Sequence, residues 1–366
     1  LKKLSISKIK RKHILLVIIL ALIILSLYVS YKLYKLDQLT GMTFEEMLEY
    51  TTKNNSEAII SVGIIDNNTV EYFSYGKNGS ILETFDDAFE IGSISKTFTT
   101  ALLSKALDEE LLYLESSINN HIELTEKEHY PTILNLATHT SGYKSFYFEK
   151  PMIGNFLNRR NDFYGVTKES MIRRLNKISL KETEYSFKYS NFGIAVLGMV
   201  LENAYEKDFV ELMGDYIESE LTLVNTKVLN DGKDNSDFWI WKDTDAYIPA
   251  GTIISNIKDM TKYLSIHMND ELKYLTLSHQ GLSQGKTSTT HERMNIRVDL
   301  VGLGWMIDME NGFIWHNGAT DYYNSYIAFD INKEFGVVVL SNLPPNYRIP
   351  ATMMGIRLME TLKYRD

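Results

Sequence analysis

The chain has 366 residues, 44% hydrophobic and 23% charged, with 23 Tyr, 16 Phe and no Cys. That length permits a large core with an inserted lobe, the aromatic content excludes a disordered body, and the missing cysteine excludes disulfides, thiol catalysis and cysteine-ligated zinc. Without the eight Lys and Arg of residues 1–35, which contain no acid, 30 bases face 47 acids for a net charge of −17, so nucleic acid is not the expected partner.

In chain order, Lys2, Lys3, Lys8, Lys10, Arg11 and Lys12 precede an uncharged apolar run from Ile14 to Tyr31. As a helix that run reaches about 27 Å, close to the hydrocarbon core of a bilayer, and Leu33 and Tyr34 extend it. The preceding positive charge keeps the N-terminus cytoplasmic, and Ser30 to Tyr34 offers no small-residue cleavage site. The expectation is a cytoplasmic tail at 1–12, an uncleaved transmembrane anchor at 13–35, a linker at 36–55 and an extracytoplasmic domain at 56–366. The protein is therefore expected in the cell membrane, single-pass, with the domain outside.

A short helix is predicted over Thr43–Lys53. Ala58–Ile65 and Val70–Tyr75 read as strands of a hairpin around Asp66-Asn67-Asn68-Thr69. The β-rich Phe89-Glu90-Ile91-Gly92 leads into Ser93, and Thr97–Leu112 has helical periodicity. A mostly helical lobe follows over about 115–290, with helices at Val166–Ile178 and Gly193–Tyr205. Strands return at Leu303–Met309, Phe313–Trp315, Tyr323–Phe329 and Gly336–Leu340, and a helix at Ala351–Tyr364 closes the chain. The predicted fold is α+β, an antiparallel sheet built from both chain ends, flanked by helices, with the helical lobe inserted.

Ser93-Ile94-Ser95-Lys96 is an S-x-x-K element that puts a hydroxyl nucleophile and an amine on one helix face. The same pattern occurs at Ser5, Ser74, Ser141, Ser255 and Ser283. Only Ser93 follows a β-like segment with Gly and opens a strongly apolar helix, whose N-terminus favours developing negative charge. Lys96, buried one turn inside, can lose its proton and act as base.

Tyr189-Ser190-Asn191 stands before the helix at Gly193. Beside a lysine, Tyr189 is expected to have a lowered phenol pKa and to serve as base and then acid, while Asn191 binds a substrate amide or steadies Lys96. His316-Asn317-Gly318 ends a strand, where His316 donates to substrate, Gly318 admits close approach and the Ala319 N–H completes an oxyanion hole. Rival triplets at Tyr322-Tyr323-Asn324, His279-Gln280-Gly281 and Lys286-Thr287-Ser288 lack matching context. Gly281-Leu282-Ser283-Gln284-Gly285 matches the G-x-S-x-G elbow of α/β-hydrolases but lacks the strand before it and the helix after it. No H-E-x-x-H occurs and the eight His are scattered, so no metal and no cofactor is expected.

FEIGSISKTFTTALLSKALDEELLYLE (Phe89–Glu115) resembles the nucleophile region of the serine β-lactamase and penicillin-binding protein superfamily, in its class C-like branch. LATHTSGY (Leu136–Tyr143), YSNFGIAVLGMVLE (Tyr189–Glu202), IPAGTIISNIKDM (Ile248–Met260), GLGW (Gly302–Trp305) and HNGATDYYNSYIAFD (His316–Asp330) follow in the family's order. The resemblance implies Ser93 as nucleophile, Lys96 and Tyr189 as the base pair, and Asn191 with the HNG strand as substrate clamp. His139 lies in a motif taken as structural. Where class C β-lactamases carry Lys-Thr-Gly this chain has His-Asn-Gly, which weakens carboxylate recognition. The implied activity is acyl transfer through Ser93 on D-alanyl groups of the cell envelope, in peptidoglycan stem peptides or teichoic acid D-alanyl esters. The alternatives are a β-lactamase, an esterase or D-aminopeptidase on small substrates, and a non-catalytic sensor. The implied partners are a cell-envelope polymer or small acyl substrate and the membrane; oligomeric state is left open.

Overall fold

The computed structural model describes residues 16–20, 22–24, 26–27, 38–67, 69–158, 161–229, 237–269 and 271–365. Most of the anchor expected at 13–35, and the tail at 1–12, lie outside the described residues. Among the described residues no helix is long and apolar enough to cross a membrane.

Helix α1 (Phe44–Thr52) starts where the sequence places it, because Thr43 and Glu46 form a capping box. The hairpin β1 (Ile60–Asp66) and β2 (Thr69–Tyr75) pairs in register around the turn at Asn67. Short strands β3 (Ile81–Leu82) and β4 (Phe89–Glu90) precede the single 3-10 turn Gly92–Ile94, which runs into α2 (Ser95–Asp108).

Through the lobe come α3 (Ile133–Ala137), α4 (Lys150–Leu157), α5 (Lys168–Leu175), α6 (Asn191–Tyr205) and α7 (Phe209–Asp215). The chain then gives β5 (Ile254–Ser255), α8 (Ile257–Met268), β6 (Ser283–Gln284) and α9 (Thr289–Arg293). It ends with β7 (Leu300–Val301), β8 (Met306–Asp308), β9 (Phe313–Ala319), β10 (Asn324–Asp330), β11 (Phe335–Ser341) and α10 (Ala351–Lys363).

Nine of these strands form one antiparallel sheet in the order β3-β2-β1-β11-β10-β9-β8-β7-β6, so the N-terminal hairpin joins the C-terminal strands through β1 and β11. Both faces are covered, which the alternation along each strand makes visible. Val337, Val339, Tyr326, Ala328 and Trp315 pack with α1 and α10, whereas Val338, Leu340, Ile327, Phe329 and Ile314 pack with α2 and α8. This two-sided burial is why β10 has no exposed residue.

Two local differences from the sequence reading have physical causes. Leu303–Met309 is not one strand, because Gly304, at φ +71°, turns the chain between β7 and β8. Part of 115–290 also belongs to the sheet layer. Helix α8 lies so close to β1 that a Cβ on Gly63 would stand 1.9 Å from Thr261 Oγ1, and Phe98 of α2 stacks on Tyr263 of α8 at 3.9 Å.

Candidate active site

Ser93 sits half-buried in the turn that opens α2, and Lys96 lies one turn on. Because α2 is buried on nearly every face, the Lys96 side chain ends inside the protein with no solvent exposure. Its Nζ is 2.8 Å from Ser93 Oγ and donates to the Ala250 carbonyl at 2.6 Å. That carbonyl is held in place from α2 itself: Thr99 Oγ1 donates to Pro249 O at 2.7 Å, and Ile253 N donates to Ser95 Oγ at 3.1 Å. Burial pushes the Lys96 amine well below the usual lysine range. The IPAG segment thus supplies an anchor for the amine, a role the sequence reading did not assign.

Tyr189 reaches the same point from the lobe. Its hydroxyl is hydrogen-bonded to Ser93, and Lys96 Nζ lies 5.0 Å from its ring centre. Burial raises the phenol pKa, and the Ser93 bond opposes this only in part. The expectation that Lys96 lowers the Tyr189 pKa is therefore corrected: a desolvated amine resists its own positive charge, and a desolvated phenol resists ionising. Lys96 is the group ready to accept a proton, and Tyr189 keeps its own.

The segment carrying Tyr189 is fixed by His139, which is buried at φ +58°. Ser190 N donates to His139 Nδ1 at 3.3 Å, Lys188 N donates to the His139 carbonyl at 2.8 Å, and the His139 ring lies 4.6 Å from that of Tyr189. Burial, with the nearby Lys96 and His316, holds this imidazole well below its ordinary pKa, so it stays neutral as an acceptor. The LATHTSGY stretch is structural in the direct sense that it positions Tyr189. Asn191 opens α6 after the Ser190 cap, and its side chain bonds neither Lys96 nor Ser93.

Strand β9 forms the other wall. Ser325 Oγ donates to the Ile91 carbonyl at 2.8 Å, and a Cβ on Gly318 would stand 1.9 Å from that oxygen. Gly318 is thus needed for β9 to pack on the nucleophile turn, rather than for substrate approach as expected from sequence. Gly92, at φ +51°, is pressed against the strand end, where a Cβ would meet Ala319 N at 2.5 Å. The Ser93 turn and the Ala319 N–H are therefore neighbours.

His316 and Asn317 point to opposite faces, as the period of a strand requires. The Asn317 side chain donates to Thr352 Oγ1 of α10 at 3.0 Å, away from the site, which corrects its placement in the substrate clamp. His316 is buried on the Ser93 side, with Tyr189 at 6.2 Å between ring centres. Its Nδ1 is 2.6 Å from the Asn317 carbonyl, which can only accept, so Nδ1 carries the proton. Burial and Lys96 hold the ring down to about 3, against the pull of that carbonyl. A neutral ring protonated at Nδ1 leaves Nε2, buried and unpartnered, as an acceptor. The expected donation from His316 to substrate is corrected accordingly.

One buried carboxylate was not singled out from sequence. Glu90 accepts from Thr320 Oγ1 at 2.6 Å and from Trp239 N at 2.5 Å, joining β4, the end of β9 and the 237–247 loop. Burial raises it to about 7 against both bonds, with Asp321 adding repulsion. The decoys fall elsewhere. Ser283 lies in β6, and Gly281 and Gly285 are flanked closely by Leu300 and Val298, so that triplet packs an edge strand rather than forming an elbow.

Residues 46–353 match the family described as Beta-lactamase. The chain belongs to that family. Among known proteins, Protein flp of Staphylococcus aureus (strain MW2) is 24% identical over 282 residues, covering 71% of this chain and 53% of its own length. Beta-lactamase-like protein 2 of Dictyostelium discoideum is 29% identical over 218 residues, 52% of this chain and 38% of its own. The chain thus spans about half, or less, of the length of these curated relatives. The fold is shared with the β-lactamase/D-alanine carboxypeptidase from Yersinia pestis, solved with citrate, at TM-score 0.70 and 19% identity over 89% of this chain and 98% of that one. It is shared also with the octameric penicillin-binding protein homologue from Pyrococcus abyssi, at TM-score 0.69 and 19% identity over 84% and 74%. This β-lactamase family fold is that of serine hydrolases, in agreement with the resemblance read from the motifs.

Proposed function

We propose that this chain is a membrane-anchored, extracytoplasmic serine hydrolase that forms an acyl-enzyme on Ser93 and removes D-alanyl groups from cell-envelope polymers. The observation that carries the chemistry is the buried Lys96 amine 2.8 Å from Ser93 Oγ. With its lone pair free, Nζ takes the Ser93 proton as Oγ bonds to the substrate carbonyl carbon. The Ser93 and Ala319 N–H groups face the resulting oxyanion. As the bond to the leaving group breaks, the proton passes from Lys96 to the departing oxygen or nitrogen through the Tyr189 hydroxyl, which gives one proton and receives another. Water then attacks the Ser93 ester with the same groups acting in reverse, releasing the acid and restoring the serine.

The choice of substrate is supported by His316. His316 is neutral and offers no positive charge where the family's Lys-Thr-Gly would present a lysine, so that position disfavours a free carboxylate. A D-alanyl ester carries no free carboxylate, which ranks it ahead of a stem-peptide terminus or a β-lactam. The description of the Yersinia pestis neighbour as a D-alanine carboxypeptidase supports D-alanyl chemistry more broadly. The anchoring and the outward orientation rest on the apolar run and basic flank of the N-terminal segment.

The test is D-alanine release from purified teichoic acid and peptidoglycan by the full chain in lipid nanodiscs, beside its Ser93→Ala variant. Release that depends on Ser93 is expected, faster from the ester. Rapid hydrolysis of unrelated esters with no D-alanine from either polymer would refute the substrate assignment.

A further inference from the structure

Helix α4 and the loops around it enclose a cavity of about 520 Å³ with an unusually apolar wall. Phe146, Phe148, Ile153, Phe156 and Phe163 line it, and Asp162 is the only ionisable group among the described lining residues. Phe146, Phe148, Ile153 and Phe156 are all exposed, although water is an unfavourable neighbour for such a cluster. Asp162 is itself exposed, so its carboxylate is turned to solvent rather than to the apolar wall, and partial burial with the nearby Asp321 only pushes it up from its ordinary value. Little in this wall would orient a polar ligand, and its volume is that of an ordinary small-molecule site.

Three contacts link the cavity wall to the segments that build the catalytic site. Lys144 and Ser145, just before Phe146, are bonded to the Tyr189 segment: Ser190 Oγ donates to Lys144 O at 2.8 Å and Phe192 N to Ser145 O at 2.9 Å. On the inner side, Phe163 stacks on Tyr247 at 4.3 Å, and Tyr247 enters the turn whose Ala250 carbonyl holds Lys96. Phe163 also lies 6.4 Å from Trp239, whose N–H binds Glu90 beside the end of β9. The apolar wall is thus built on the same segments that place Lys96, Tyr189 and Ala319.

We propose that this cavity is a subsite for an aliphatic chain carried by the substrate of the Ser93 site. The inference rests on the acyl-enzyme reading and adds a selectivity to it: acyl compounds with an apolar tail bind better than their short counterparts, because the tail leaves water for the aromatic wall.

The experiment compares p-nitrophenyl acetate with p-nitrophenyl hexanoate as substrates of the full chain in nanodiscs. Phe148 and Phe156 are 60% and 75% exposed, so a Phe148→Ser, Phe156→Ser double variant strips the wall without opening the core. The expected result is unchanged turnover of acetate and a fall of about tenfold or more in the hexanoate-to-acetate ratio of kcat/KM, with most of the ratio retained in the corresponding double Leu variant. Partition of hexanoate into lipid is the same for all variants and drops out of the comparison. An unaltered ratio, or equal loss on both esters, would overturn the subsite.

Ser93→Ala separates the two readings. If ester turnover survives that substitution, the acyl-enzyme reading fails, and the cavity is judged by quenching of tryptophan fluorescence with ω-bromohexanamide in the Ser93→Ala protein. Saturable quenching that disappears with the two Ser substitutions supports the apolar subsite. Quenching that is linear in concentration, or indifferent to those substitutions, contradicts it.

Discussion

Lys96 Nζ lies 2.8 Å from Ser93 Oγ with no exposure to solvent, and its other partner is the uncharged Ala250 carbonyl rather than a carboxylate. A lysine buried without a counter-ion favours its neutral form. Replacement by Met, which keeps the apolar stem, should lower Ser93 acylation by about 10²- to 10⁴-fold while preserving the fold. The stability change should have the opposite sign. Unfolded Lys96 holds its proton up to about 10.5 and folded Lys96 loses it earlier, so between those two values the unfolded state binds the extra proton and native stability rises with pH. Thermal unfolding should show that rise in the parent and lack it in Lys96→Met, which should be the more stable protein at neutral pH.

At Tyr189 proton transfer is separate from ionisation. Its hydroxyl bonds Ser93 and its pKa is raised, so Tyr189→Phe removes a relay without removing a charge. Acylation by a good leaving group should be slowed less than acylation by an amide, whose departing nitrogen needs the relayed proton. Equal loss on a p-nitrophenyl ester and its anilide, measured as kcat/KM, would argue that Tyr189 only packs against Lys96.

Much of this site was legible in the sequence because its parts are local. The Ser93–Lys96 spacing, the apolar periodicity of α2 and the break before Tyr189 each follow from neighbouring residues. Strand alternation could also have shown that His316 and Asn317 cannot face the same ligand, since Trp315 and Asn317 share the α10 side. What sequence reasoning missed depends on distant partners. The Ala250 carbonyl meets Lys96 across 154 positions, and the donors to Glu90 come from Trp239 and Thr320. The sign of the Tyr189 shift likewise follows from burial, which no motif reports.

Gly318 illustrates how packing enforces the site. A Cβ at that position would stand 1.9 Å from the Ile91 carbonyl and 2.5 Å from Ser325 Oγ, so β9 must move away from the nucleophile turn to admit it. Gly318→Ala should cost about 1–3 kcal/mol or more of stability and slow Ser93 acylation in the same protein. Chemical denaturation with full retention of midpoint and rate would show that the turn is free to shift.

Glu90 supplies a pH dependence of its own. Folded Glu90 titrates at about 7 against an ordinary value of 4.5, so between those values the native state holds a proton that the unfolded chain releases. Its contribution to stability is full below about 4.5 and is lost as pH rises through 7, a change on the order of 3 kcal/mol. Unfolding of Glu90→Gln compared with the parent across this range should show the variant gaining relative stability as pH rises. A constant difference between the two proteins would mean that Glu90 is ionised throughout.

The most direct test of the central claim is the rate of covalent labelling of Ser93 by a fluorophosphonate as a function of pH, with the modified residue located by mass spectrometry. Labelling is expected on Ser93 alone, lost in Ser93→Ala, with a rate already at its plateau well below the 10.5 of an ordinary lysine. Labelling at another residue, or a rate still climbing toward 10.5, would contradict an unprotonated Lys96 as the base that activates Ser93.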